Sequence, residues 1–145
     1  MSDCPFCQLL ASGNPGSKLP HLIADTGSAL ALLNRAPLAP GHLTLVFKAH
    51  HTQTSDLRDV HLAGAGEWLG RLSAILEREF APQRVILLGD GKRSAHLHWH
   101  LVPEPLDAPL DPGAAVADLT RPARPNTLGD ADVSKLVTRL RDQLR

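Results

Sequence analysis

The stretch His96-Leu97-His98-Trp99-His100-Leu101-Val102 sets three histidines in strict alternation with apolar residues. Period-two alternation is the pattern of a β-strand with one polar and one packed face, so the three imidazoles line one side of a sheet. At about 3.3 Å of rise per residue, His96 and His98 stand roughly 7 Å apart and His96 and His100 roughly 13 Å apart. A single metal ion is too small to gather all three, although neighbours in the row can share a ligand or each other. Leu97, Trp99 and Leu101 turn to the opposite face and anchor the strand in the core. Three of the chain's eight histidines at perfect alternation argue against an incidental solvent face.

A chain of 145 residues is expected to form one domain, 1–145, large enough to be stable without staples. Its formal net charge is zero, with both signs interspersed. Partners held by bulk electrostatics, duplex nucleic acid and membrane surfaces, are therefore not expected, whereas a small phosphorylated ligand stays open. The opening Met-Ser-Asp-Cys-Pro-Phe-Cys lacks a basic-then-apolar signal pattern, and no apolar run approaches the roughly 18 residues of a membrane span. A cytoplasmic location is the resulting expectation. In that compartment two cysteines suggest metal or redox chemistry more than a structural disulfide.

Those cysteines form Cys4-Pro5-Phe6-Cys7. A redox site of this spelling needs a preceding strand to place its thiols at a helix N-terminus, and only three residues precede Cys4. The pair reads either as half of a tetrahedral zinc site awaiting two histidines or as free thiols. Gln8 to Ser12 is expected as a short helix stopped at Gly13 and Asn14-Pro15-Gly16. A hairpin follows from His21–Ala24 and Ala29–Leu33 across the turn Asp25-Thr26-Gly27-Ser28. The stiff run Asn34 to Gly41 leads into a third strand, His42–Phe47. Asn34 either offers its carboxamide to a ligand or satisfies its own turn.

After His50 and His51, Ser55-Asp56 reads as the cap of a long helix reaching about Phe80. Its core stripe comprises Leu62, Ala65, Trp68, Leu69, Leu72, Leu76 and Phe80, with His61 exposed. Arg84–Leu88 is a fourth strand, and Gly89-Asp90-Gly91 a sharp connection to the histidine strand. Five prolines between 104 and 129 predict an irregular arm over 103–129, with at most short helical turns. Helical periodicity returns over 130–144 through Val133, Leu136, Val137, Leu140 and Leu144.

These stretches resemble the histidine triad (HIT) family of nucleotide hydrolases and transferases over about residues 4–103. The family's pattern of alternating histidines is matched in full by residues 96–102, with Pro103 following. Leu33 to His42 is similar to the family's strand and Pro-rich Gly-His lead-in, with Asn34 at its ribose-contacting position. His50 matches the histidine ahead of the family's long helix. The resemblance implies an α+β, HIT-like fold: an antiparallel sheet of about five strands with one long helix, to which this chain adds a C-terminal helix. It also implies a homodimer with a continuous sheet.

By the same resemblance, His98 is the nucleophile that attacks the α-phosphorus of a nucleotide or dinucleotide substrate, and His100 donates to a phosphoryl or leaving-group oxygen. Neutral imidazole suits both, since an unperturbed histidine is mostly uncharged at pH 7. Cys4, Cys7, His50 and His96 match the residues that hold a structural zinc in metal-binding members. Asn34, Lys92 and Ser94 are the candidate nucleotide contacts. The chain departs from the family at Gly89 to Ala95, where a phosphate-contacting glutamine is missing. Lys92 or Arg93 either replaces it or is a solvated surface charge. Phe47 stands where many members have proline, and Glu104 where a number have arginine. Dinucleoside polyphosphates, nucleoside phosphoramidates and adenylylated small molecules remain as substrates. The alternative is a non-catalytic nucleotide-binding or zinc-stabilised interaction protein of the same fold.

Overall fold

Asp25 and Thr26 build the first turn with their side chains: Gly27 N–H donates to Asp25 Oδ1 at 2.9 Å and Ala29 N–H to Thr26 Oγ1 at 3.0 Å. That closes the expected hairpin of β1 (Leu22–Asp25) and β2 (Ala29–Leu33). With β3 (Leu43–Phe47), β4 (Arg84–Leu88) and β5 (His98–Glu104) they form one antiparallel sheet in the order β1-β2-β3-β5-β4. This computed structural model describes residues 3–12, 19, 21–89, 91, 94–119 and 128–145. The expected helix stop at 13–16 and the residues Asp90, Lys92 and Arg93 lie outside the described residues.

Among the described residues four α-helices accompany the sheet: α1 (Pro5–Ala11), α2 (Asp59–Phe80), α3 (Pro112–Leu119) and α4 (Asp130–Asp142). Leu72, Ile75 and Leu76 of α2 and Val133, Leu136 and Leu140 of α4 share one core with Leu43, Leu45, Phe47 and Leu101 of the sheet. Burial of this apolar face is the main stabilising term, at about 25 cal/mol per Å². The opposite face carries the histidines, because Thr44 pairs with His100 and Val46 with His98 in register. The α+β architecture and five-stranded antiparallel sheet are thus as expected.

Several boundaries move for identifiable reasons. The first helix begins at Pro5 and not Gln8, because Cys4 Sγ accepts the Cys7 amide at 3.4 Å as the N-cap and proline suits the first helical position. The Cys4-Pro5-Phe6-Cys7 thiols therefore do sit at a helix N-terminus. Asp56 does not cap the long helix. Its Oδ2 accepts the amides of Thr52 and Gln53, both at 3.0 Å, around the 3-10 turn Thr54–Asp56. Leu57 then enters the core in extended conformation and α2 starts two residues later. Leu62, assigned to the core stripe, is 44% exposed. Trp68 is half-buried against the core, with the Arg71 guanidinium 4.2 Å above its ring.

The histidine strand is shifted two residues later than 96–102. His96 lies in a bend, and Leu97 is tied to the end of β3 and the loop after it through Phe47 N–H to Leu97 O at 3.3 Å and Leu97 N–H to His51 O at 2.7 Å. At its other end the strand continues through Pro103, which pairs only with Val85 of β4. β3 partners β5 no further than Leu101, so the missing N–H breaks no two-sided ladder. The arm holds more helix than expected, α3 having eight residues with Pro112 at its start. Glu104 anchors the arm. Its buried carboxylate accepts the Leu110 amide at 2.9 Å and faces Arg84 Nε at 2.8 Å.

Candidate active site and metal cluster

Gly41 sets the approach to the first site residue. Its φ of +86° is a conformation that favours glycine, and a Cβ there would stand 2.2 Å from the Phe80 ring. The tight passage over the end of α2 delivers His42 into the sheet, fully buried. His42 Nδ1 accepts the Leu38 amide at 3.1 Å, so its proton is on Nε2, which donates to His100 Nδ1 at 2.9 Å. His100 consequently carries its own proton on Nε2. Thr44 Oγ1 lies 3.3 Å from the same His100 nitrogen and accepts from Asn34 Nδ2 at 2.9 Å. Asn34 Oδ1 accepts the Ala36 amide at 2.8 Å, so the turn and the site share this residue.

His98 shows the complementary tautomer. Its Nδ1–H donates to the His96 carbonyl at 2.7 Å, which leaves a lone pair on Nε2. The His98 and His100 rings meet edge to face, 5.0 Å between centroids at 84°. Both are shielded, at 8% and 7% exposure. The arrangement offers an imidazole lone pair beside an imidazole donor. Ser94, half-buried, lies two residues before His96 in the loop that leads to these rings.

Burial, reinforced by the neighbouring His100, pushes the His42 imidazole down to about 3. The ring therefore stays neutral in the fold across the physiological range. Below the ordinary value of about 6.5 the unfolded chain takes up a proton that the folded chain refuses. The stability tied to His42 is thus complete above pH 6.5 and lost progressively as pH falls toward 3. Denaturation measured from pH 7 to pH 4 should give the wild type a slope up to about 1.4 kcal/mol per pH unit steeper than His42→Gln. Equal slopes would show that His42 protonates in place.

At the other end of the row, His96 turns away from His98 and toward the cysteines. Its Nε2–H donates to the Phe47 carbonyl and its Nδ1 lies 3.4 Å from Cys4 Sγ and 3.5 Å from Cys7 Sγ. His50 Nδ1 is 3.1 Å from Cys7 Sγ. The four ligand atoms of Cys4, Cys7, His50 and His96 all lie within 4.8 Å of one another. The edges of a tetrahedral site with bonds of about 2.0–2.3 Å are roughly 3.5 Å, so the donor set fits a zinc ion. A carbonyl that fixes the histidine tautomer is the usual support for such a ligand. Burial holds His96 below the ordinary imidazole value against the opposing pull of the Phe47 carbonyl, and the neutral ring is the form a metal requires. At Cys4, burial raises the thiol, but hydrogen bonds from Cys7 and Phe6 outweigh it and leave it below the ordinary thiol value.

The fold thus gathers His98 and His100 at one place and the four metal candidates at another, with His96 dividing them. His42, Thr44 and Phe6, whose ring centroid lies 5.0 Å from that of His98, are site residues that sequence reasoning left without a role. The signal for the first two is their spacing, since His42 and Thr44 share one face of a strand, but only the pairing of β3 with β5 shows which histidine they meet.

Residues 18–105 match the family model described as HIT domain. With that match and the three-histidine strand in an α+β sheet, the chain belongs to the histidine triad family. It is 27% identical over 107 residues to adenosine 5'-monophosphoramidase hnt1 of Schizosaccharomyces pombe, covering 70% of this chain and 74% of that protein. Its fold is similar to a histidine triad nucleotide-binding protein from Sulfolobus tokodaii, with TM-score 0.71, 17% identity and coverage of 97% and 91%. It is likewise similar to a Zn-bound histidine triad family protein from Mycobacterium smegmatis, with TM-score 0.66, 21% identity and coverage of 99% and 94%.

Proposed function

We propose that the protein is a nucleotide hydrolase acting at the α-phosphorus, with a nucleoside 5'-phosphoramidate as its substrate class. The observation that carries this reading is the opposite tautomers of adjacent histidines, a lone pair on His98 Nε2 beside a proton on His100 Nε2. The Schizosaccharomyces pombe relative, an adenosine 5'-monophosphoramidase by name, supports the substrate class. In this reading His98 Nε2 forms a bond to phosphorus while the P–N bond breaks. The electron pair goes to the leaving nitrogen, which takes a proton from solvent. His100 Nε2–H donates a hydrogen bond to a phosphoryl oxygen and stays protonated, because the buried neutral His42 keeps Nδ1 engaged. Water then attacks phosphorus and gives up a proton to solvent, while the bond from phosphorus to His98 Nε2 breaks, returns the lone pair to that nitrogen and frees the nucleoside monophosphate. Asn34 and Ser94 are the nucleotide contacts in this reading, with Lys92, outside the described residues, as the candidate positive partner of the phosphate. Brief incubation with adenosine 5'-monophosphoramidate followed by intact-mass measurement should find an adenylyl adduct. A protein that binds the nucleotide yet gains no adduct and releases no AMP would be the non-catalytic alternative.

We infer further that Cys4, Cys7, His50 and His96 hold a structural zinc. The donor distances and the Zn-bound relative from Mycobacterium smegmatis support it. Four protein ligands leave no position for water, so the ion would fasten α1 to the histidine strand and supply no chemistry to the reaction.

The homodimer is supported by the sheet edge at β4. Leu87 on that edge is 51% exposed and borders a shallow apolar groove with Leu69, Leu88 and Trp99. The other edge is engaged, Arg141 Nε donating to the Leu22 carbonyl at 2.6 Å. Pairing of two β4 edges across a two-fold axis would cover the leucine and satisfy the strand. Light scattering should give twice 15.6 kDa, and Leu87→Asp should lower it. A monomer mass throughout the micromolar range would reject the pairing. Among the described residues no helix is long and apolar enough to cross a membrane.

A further inference from the structure

Phe6 stands on α1 between the two cysteines of the metal cluster, and the reaction above gives it no role. Its ring centroid lies 5.0 Å from that of His98 at 48°, and 5.5 Å from that of His96 at 58°. His98 is thereby met from three directions. The His96 carbonyl holds Nδ1, the His100 ring meets it edge to face, and Phe6 packs on it from a separate element. A hydrogen bond fixes one atom of the imidazole, while the ring torsion of histidine is intrinsically broad. Packed neighbours are what remove the remaining rocking motion.

Phe6 is well placed to act as such a neighbour because its own backbone is anchored on both sides. Cys4 lies 3.4 Å from His96 Nδ1, Cys7 lies 3.1 Å from His50 Nδ1, and the Cys4 sulfur also accepts the Cys7 amide. These ties sit within one helical turn. They leave the half-buried phenyl little freedom to leave the imidazole faces.

We propose that Phe6 is a positioning residue for His98, its ring, anchored by Cys4 and Cys7, confining the imidazole to the orientation set by the His96 carbonyl. The proposal rests on the reading of His98 as nucleophile. It links the cysteine cluster to the reacting nitrogen through one side chain and not through the ion. A ring that rocks spends less time aligned for attack, so the effect belongs to the bond-forming step and not to substrate affinity.

Phe6→Leu and Phe6→Tyr test it, with Phe6→Met as a flexible replacement of similar volume should the leucine variant not fold. Three quantities are measured: the NMR shifts of the His98 ring protons, the single-turnover rate of adduct formation from adenosine 5'-monophosphoramidate, and kcat with KM. In Phe6→Leu the His98 protons should lose the displacement imposed by a neighbouring aromatic ring. Adduct formation and kcat should fall about tenfold while KM changes less than about twofold. Phe6→Tyr should restore both signal and rate. Unmoved His98 signals, a loss confined to KM, or a tyrosine variant as slow as the leucine one would overturn the proposal. Adduct formation at the wild-type rate in Phe6→Leu would overturn it alone, whereas absence of any adduct in the wild type would remove the nucleophile reading and the proposal with it.

Discussion

His98→Ala should yield no adenylyl adduct and no measurable release of AMP, the largest effect expected of any single substitution. The neighbouring histidines are unable to substitute, because neither has a ring lone pair to spare, His100 carrying its proton on Nε2. His96 directs Nδ1 to the cysteines and Nε2 to the Phe47 carbonyl, and His100 directs Nδ1 to His42. His100→Ala should be milder, since it removes a donor and leaves the attacking nitrogen. A lost oxyanion-type donor typically costs about two to three orders of magnitude in kcat. His42→Gln should lower turnover in the same direction, and combining it with His100→Ala should add little, because the two rings act as a unit. Intact-mass and rate measurements on the four proteins check the series. Turnover by His98→Ala near the wild-type rate would leave nucleotide binding without catalysis as the better reading.

Metal removal should be the second large effect, and it should appear in stability before it appears in chemistry. A ligand present at a thousandfold its dissociation constant stabilises the fold by about 4 kcal/mol. At about 2–4 °C per kcal/mol for a chain of this size, chelation should lower the melting temperature by about 10 °C. Cys7→Ala should lose zinc by elemental analysis and melt near the chelated wild type. His96→Ala should behave in the same way, which distinguishes the first histidine of the strand from the second. Purified protein that contains no zinc, and whose melting temperature does not rise when zinc is added, would contradict the assignment.

What could be read from the sequence was what local chemistry decides. The β1-β2 hairpin follows from Asp25, Thr26 and Gly27, which satisfy their own turn, and β4 falls at the expected residues because alternation and the flanking breaks are both local. The start of α2 was not legible. Asp56 has the side chain of a helix cap, yet Leu57 is drawn into the core and spends that cap on a 3-10 turn. α3 was obscured because Pro112 reads as a breaker when its neighbours are unknown and as a helix start when they are. The role of His42 depends on a partner 58 positions away, and the meeting of Cys4 with His96 spans 92. Such distances are set by strand order, which periodicity does not encode. The zinc set was reached through family resemblance for that reason, and Lys92 lies outside the described residues.

The sheet's two faces give the chain a simple arithmetic for engineering. In β3 and β5, the even-numbered positions Thr44, Val46, His98 and His100, with His42 just before them, look onto the reactive side, while Leu43, Leu45, Phe47 and Leu101 look onto the helices. A library restricted to even positions there, with His98 and His100 kept, would sample the reactive side while leaving the hydrophobic core intact. One restricted to odd positions would mostly sample foldability, at about 2–5 kcal/mol for each leucine cut to alanine. Residue parity thus separates the tolerance of the fold from the evolvability of its chemistry.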